Sequence, residues 1–200
     1  MCFPPESVFI CVHLWLHSFS VEHAHTVYFS LGSNVGDRAA NIARAVEALA
    51  AAGLEISRLS SLYQTEPVGF RTQPWFLNCC LEAETHLMPR QLLHIVREIE
   101  QRLGRHRSVR NGPRAIDIDI LLYGSSRVRM ADFDLPHPRM AERRFVLVPL
   151  CEIAPTLRHP LLGKTVAELL AGTPDHSRVV RWREPLKTKG LDRLSDCGGH

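Results

Sequence analysis

Two aspartates, Asp117 and Asp119, interrupt an otherwise aliphatic run, Ile116-Asp-Ile-Asp-Ile-Leu-Leu122. Side chains alternate along an extended segment. The two carboxylates therefore share one face, about 7 Å apart, while Ile116, Ile118, Ile120 and Leu122 fill the other. Like charges this close cost stability unless a cation sits beside them. Hard oxygen ligands of this kind suit Mg²⁺, which keeps waters and completes its shell with phosphate oxygens. Just upstream come Arg105, Arg107, Arg110 and Arg114, with Gly104 and Gly112 among them and no Lys. The planar guanidinium fork recognises phosphate in a bidentate way that a lysine ammonium cannot. Carboxylates for metal and guanidiniums for phosphate are what phosphoryl transfer needs, because that catalysis is mostly positioning and charge stabilisation. A D-x-D pair alone reads as a solvated strand face. Four arginines beside it shift the reading to chemistry.

Charge is distributed accordingly. The 200-residue chain carries a net charge of +3. Between Arg102 and Arg144 there are ten Arg, no Lys and five acids, so this stretch is basic and the remainder slightly acidic. A protein that binds long polyanions spreads its basic residues more widely. This pattern fits a local site for a small, highly anionic ligand, with no nucleic-acid or membrane partner. An RNA-binding module would show an aromatic-rich strand and dispersed Lys/Arg. A metal-dependent nuclease would bring more carboxylates. Gly163-Lys-Thr165 mimics the end of a phosphate-binding P-loop, but the upstream glycine it needs is Arg158.

The elements that must position these residues are legible in outline. Thr26–Leu31 reads as a strand, then a turn through Gly32–Asp37. A helix follows over Arg38–Ala52, with Ile42, Ala45, Val46 and Leu49 on one face and Gly53 as its stop. Leu54–Tyr63 reads as a second strand. Phe76–Glu84 is a third, with Leu77, Cys79, Leu81 and Ala83 on one face and Phe76, Asn78, Cys80, Glu82 and Glu84 on the other. Pro89 opens a second helix with Leu92, Val96, Ile99 and Leu103 as its stripe. Ile116–Tyr123 is the fourth strand. Short helices are expected over Phe145–Ile153, interrupted by Pro149, and over Thr165–Leu170, where Thr165 and Glu168 are spaced as a capping box. The order β-α-β-β-α-β predicts an α+β sandwich of ferredoxin-like type, a mainly antiparallel sheet with helices packed on it.

Residues 26–172 are expected to form the folded domain. Residues 1–25 are expected to be an extension, disordered or produced by a mis-set start. Its apolar run Val8–Phe19 is too short to span a bilayer. Residues 173–200 are expected to be a C-terminal extension, mobile from 184. Six Cys without CxxC spacing point to reduced thiols in a cytoplasmic protein.

Gly112-Pro-Arg-Ala-Ile-Asp-Ile-Asp-Ile-Leu-Leu122 resembles the signature of the 6-hydroxymethyl-7,8-dihydropterin pyrophosphokinase (HPPK) family. Further segments resemble the same family in order. They are Ser30-Leu-Gly-Ser-Asn-Val-Gly-Asp37, Ser61-Leu-Tyr-Gln-Thr-Glu-Pro-Val-Gly69, Gln73-Pro-Trp-Phe-Leu-Asn78, Leu135-Pro-His-Pro-Arg139 and Arg143-Arg-Phe-Val-Leu-Val-Pro-Leu150. The resemblance runs from about Thr26 to Leu170. It implies a diphosphokinase of folate synthesis whose small-molecule partners are ATP and 6-hydroxymethyl-7,8-dihydropterin; a monomer is expected.

By the same resemblance, Asp117 and Asp119 would hold two Mg²⁺ ions. Arg105, Arg107 and Arg114 would act on the transferred phosphates. Arg97, Glu100, His137 and Arg143 would join Arg105 and Arg114 around ATP. Thr65, Val68, Phe76, Asn78 and Phe145 would form the pterin slot, with the two phenylalanines stacking and the asparagine reading the heterocycle's edge. The period of two along Phe76–Glu84 independently puts Phe76 and Asn78 on one face. Asn111 stands where some family members carry a bulky aromatic and has no assigned role.

Overall fold

The computed structural model describes residues 24–67, 73–104 and 114–188. Strands are β1 (His25–Ser33), β2 (Glu55–Leu59), β3 (Tyr63–Thr65), β4 (Phe76–Thr85), β5 (Asp117–Tyr123), β6 (Val128–Met130), β7 (Phe133–Leu135) and β8 (Val179–Arg181). Helices are α1 (Arg38–Ala51), α2 (Pro89–Arg102), α3 (Arg144–Ile153) and α4 (Val166–Gly172). A six-stranded sheet runs β5-β1-β4-β3-β8, with β2 beside β3 on the same edge of β4, and every pairing is antiparallel. β6 and β7 form a separate hairpin. This is the expected α+β, ferredoxin-like arrangement.

Two cores sandwich the sheet. On one face α1 packs Ile42, Ala45, Val46 and Leu49 and α2 packs Leu92, Val96 and Ile99 against Phe29, Leu31, Leu81 and Ile120. On the other, Val146, Leu147 and Leu150 of α3 and Val166 and Leu169 of α4 cover Tyr28, Cys80 and Leu122. The caps follow the sequence. The Asp37 side chain accepts from Ala40 N ahead of α1, and Thr165 and Glu168 form their capping box at α4. Pro149 sits inside α3 without ending it. It lacks the N–H that would bond to the Phe145 carbonyl one turn back.

The structure corrects several element boundaries. Leu54–Tyr63 is two short strands, because the three residues Ser60–Leu62 face only Cys79 and Cys80 of β4 and break the pairing, although Ser60 N still donates to Cys80 O. Leu122 does not share the face of Ile118 and Ile120. Phe29 pairs with Ile120 and Tyr28 with Leu122, so Leu121 is a bulge that flips the alternation beyond it. On the second face of β4, α3 buries Cys80 completely. The segment 173–200 contributes β8, which pairs with β3. Cys79 and Cys80 are free buried thiols, and burial pushes Cys79 up to about 12. Among the described residues no helix is long and apolar enough to cross a membrane.

Leu81 lies at the centre of the sheet with no exposed surface. Leu81→Ala should lower unfolding free energy by about 2–5 kcal/mol in urea titrations. A loss below about 1 kcal/mol would contradict a close-packed core at that point.

Candidate active site

Strand register assembles the site. Gly32 of β1 pairs with Asp117 on one side and Asn78 on the other, and Asn78 pairs in turn with Tyr63. Two residues along, Ser30 pairs with Asp119 and Cys80. Residues paired across a sheet point to one face, so both aspartates, Asn78 and Phe76 share the face that α3 covers. α3 begins only at Arg144, and the sheet beyond it lies open. There a cleft of about 240 Å³ is lined by Asp117, Asp119, Arg114, Arg139 and Arg143 at one end. Thr65, Glu66, Gln73, Phe76, Asn78 and Phe145 line the other end, and Ser30 and Gly32 form the floor between.

The polar end is a set of opposed charges. Arg114 Nη1 donates to Asp117 Oδ2 at 2.7 Å. Arg143 Nη1 lies 4.0 Å from Asp119 Oδ2. Burial, and then the neighbouring Arg139, weaken the hold of Arg143 on its proton, while Asp119 and Asp117 oppose them. Arg143 Nε is buried with no hydrogen-bond partner, an unmet donor beside the cleft. His137 stands close by. Burial, then Arg143 and Arg139, push it down to about 4. Its Nδ1 accepts from Arg139 N at 3.2 Å, so the neutral ring carries its proton on Nε2.

The apolar end combines two aromatic rings with an oriented amide. Phe76 leaves β4 and Phe145 the first turn of α3, and the Arg143 guanidinium sits 5.5 Å from the Phe145 ring centre. Between these elements Asn78 Nδ2 donates to the buried Thr65 Oγ1 at 2.7 Å. That bond fixes the amide plane. A Cβ on Gly32 would lie 2.5 Å from Asn78 Oδ1, so only glycine leaves the amide where it is. Asn34, itself buried, joins the two ends. Its N–H donates to Arg114 O at 3.2 Å, its Oδ1 accepts from Arg114 N at 2.7 Å, and its Nδ2 donates to Gln73 Oε1 at 3.2 Å.

Of the residues singled out from sequence, Thr65, Phe76, Asn78, Arg114, Asp117, Asp119, Arg143 and Phe145 meet in this cleft, with His137 beside it. Arg97 and Glu100 do not line it. Arg97 pairs with Asp132 at 2.8 Å on the surface. Glu100 is buried behind β5, where its Oε1 accepts from Ile118 N. Val68, Arg105 and Arg107 lie outside the described residues, as do Arg110 and Asn111. Sequence reasoning gave no role to Ser30, Gly32, Glu66, Gln73 or Arg139. For Ser30 and Gly32 the signal was present as two small residues at period two on β1. No group of three or more metal-ligating side chains occurs among the described residues. Two carboxylates on one strand face, with hard oxygens only, nonetheless fit a Mg²⁺ that draws its other ligands from water and phosphate.

A family model described as 7,8-dihydro-6-hydroxymethylpterin-pyrophosphokinase (HPPK) matches residues 28–155. The chain is 49% identical over 145 residues to a 2-amino-4-hydroxy-6-hydroxymethyldihydropteridine pyrophosphokinase of Methylorubrum extorquens, covering 72% of this chain and 90% of that one. It is 41% identical over 166 residues to the folic acid synthesis protein fol1 of Pneumocystis carinii, covering 83% of this chain but only 22% of that much longer protein. The wild-type HPPK-DHPS of Plasmodium falciparum shares the fold at a TM-score of 0.61 and 15% identity, over 74% of this chain and 44% of that one.

Neutral His137 yields a pH prediction. Its folded pKa, about 4, lies below the unfolded value near 6.5, so the unfolded chain binds the proton first. The resulting stability is complete above about pH 6.5 and is lost as pH falls towards 4, by up to about 3 kcal/mol. Urea unfolding across that window should show a shallower loss for His137→Asn than for the wild type. Parallel losses would remove His137 from the account.

Proposed function

The chain belongs to the 7,8-dihydro-6-hydroxymethylpterin-pyrophosphokinase family, and on that premise we propose how its cleft transfers pyrophosphate from ATP to 6-hydroxymethyl-7,8-dihydropterin in folate synthesis. The observation that carries the reading is that one sheet face bears both an end lined by arginines and aspartates and an end lined by two phenylalanines and an oriented amide, with Ser30 and Gly32 between them. The hydroxymethyl oxygen of the pterin attacks the β-phosphorus of ATP and loses its proton. The bond from that phosphorus to the oxygen bridging it to the α-phosphate breaks, and AMP departs with that oxygen. Little covalent chemistry falls to the protein, so its work is alignment and charge stabilisation.

Each end has its part. Phe76 and Phe145 hold the pterin ring between them. Asn78, its plane set by Thr65, offers an amide to the ring's edge. Arg114, Arg139 and Arg143 stabilise the phosphate oxygens, and the unpartnered Nε of Arg143 gains an acceptor when they arrive. Neutral His137 donates from Nε2 without adding a further charge. Asp117 and Asp119 would hold Mg²⁺, which supplies charge neutralisation on the phosphate oxygens when bound. The protein's proposed partners are these two small molecules, since three arginines, Arg114, Arg139 and Arg143, converge beside two aspartates in one cleft. A monomer in the cytoplasm is the proposed state, consistent with the free thiols Cys79, Cys80 and Cys151.

Incubated with ATP, Mg²⁺ and the pterin, the protein should release AMP only when the pterin is present; ADP instead would sink the reading. Asp117→Asn and Asp119→Asn should each lower turnover by about 10³-fold. Both should unfold close to wild-type urea concentrations, because the attraction lost to Arg114 or Arg143 is offset by relief of the repulsion between the two carboxylates. Gly32→Ala should weaken pterin binding by roughly tenfold, because it displaces the Asn78 amide, and leave the KM for ATP nearly unchanged. Equal losses for both substrates would refute that assignment.

A further inference from the structure

β3 is a marginal element on which much depends. Three residues long, it pairs with only three residues of β4, yet it carries Thr65, which orients Asn78, and leads into Glu66 of the cleft. Three-residue edge strands hold their geometry poorly alone. β3 is not an edge here. β8 pairs with it through Thr65–Val179, Gln64–Val180 and Tyr63–Arg181. The supporting segment, Thr173 to Trp182, lies beyond residues 28–155 that the family model matches.

The same segment reaches the other wall. α3 has no side-chain cap from Arg143, its N-cap residue. Instead Asp175 Oδ2 accepts from Arg144 N at 2.7 Å, while Asp175 Oδ1 accepts from Ser177 N at 2.8 Å. One aspartate thus ties the first turn of α3, which presents Phe145, to the approach to β8. Two bonds then hold Glu66, from its N–H to Arg178 O and from Arg178 N to its carboxylate, both 3.2 Å. At the far end Trp182 N donates to Leu62 O, and the Arg38 guanidinium lies over the Trp182 ring while donating to Trp75 O, next to Phe76. The C-terminal end of α3 is gripped as well. Glu152 accepts from Ser61 and Tyr63, and Arg181 joins them.

We propose that residues 173–182 act as a strap that sets the relation between the β3–β4 wall and the α3 wall of the pterin slot, with Asp175 as its principal positioning residue. Asp175 touches neither substrate and acts through Arg144 and Phe145. The inference rests on the pterin reading of the cleft, and its structural part is measurable without substrate.

Asp175→Ala should raise the KM for the pterin at least fivefold, with kcat and the KM for ATP within twofold of wild type. Asp175→Asn, which keeps an oxygen acceptor, should restore most of the affinity. Without substrates, hydrogen exchange at the amides of Arg144 to Leu147 and of Glu66 should quicken at least tenfold in Asp175→Ala, while the amides of β1 keep their wild-type rates. An unchanged pterin KM in an active Asp175→Ala enzyme would overturn the strap, as would unchanged exchange at those amides. Quickened exchange in Asp175→Ala, together with a wild-type protein that neither binds pterin nor forms AMP, would instead refute the pterin reading and leave the strap standing as a structural device.

Discussion

The site depends on the register of β1. This strand lies between β5 and β4, and its pairings put Gly32 opposite both Asp117 and Asn78. A slip of one residue against β5 would turn both carboxylates into the core formed by α1 and α2. Buried, unpaired charge of that kind costs several kcal/mol per group. Register is therefore held by the most costly error available to the sheet. The Leu121 bulge lies beyond Asp119, so the aspartates keep strict alternation while Leu122 is turned to meet α3. The bulge lets one strand serve the site at its start and the second core at its end.

Electrostatics at the polar end are unresolved by design of the sequence. Asp117 is paired with Arg114, but Arg139 and Arg143 press on each other, and Arg143 keeps a buried donor without an acceptor. A polar group left this way is a cost in the unliganded protein. A phosphate chain would relieve it by placing negative oxygens among the guanidiniums. The same arrangement explains why His137 stays neutral. Burial and two adjacent cations make a third positive charge unfavourable, so the neutral form of the ring is favoured.

Patterns local in sequence were legible. The spacing of Asp117 and Asp119, the period of two through Phe76–Asn78 and the apolar stripes of α1 and α2 all reflect one element's own geometry, and the structure keeps each. Features that depend on partners far along the chain were not. The break between β2 and β3 follows from how each pairs with β4, and β8 finds β3 across more than a hundred residues. Gly32 read as part of an ordinary turn because its reason, the Asn78 amide, lies 46 residues away. The family resemblance put Arg97 and Glu100, on the helix preceding the arginine-rich segment, near the nucleotide. In the fold Arg97 turns to Asp132, and Glu100 caps a backbone N–H of β5.

The floor shows why the two halves of the cleft can cooperate. The only side chain between the aspartates and Asn78 on β1 is that of Ser30, since Gly32 has none. Any bulk there would separate the phosphate-binding end from the heterocycle-binding end and push the Asn78 amide off Thr65. In-line transfer between two bound molecules requires their reacting atoms to approach within about 3–3.5 Å. Small residues on the central strand leave room for that approach. The bulk needed to shape the slot is moved to its rims, as Phe76 on β4 and Phe145 on α3. Rims built on different elements must be held in relation to each other, and the bonds from Asp175, Glu66 and Glu152 run between the strands and α3 for that reason.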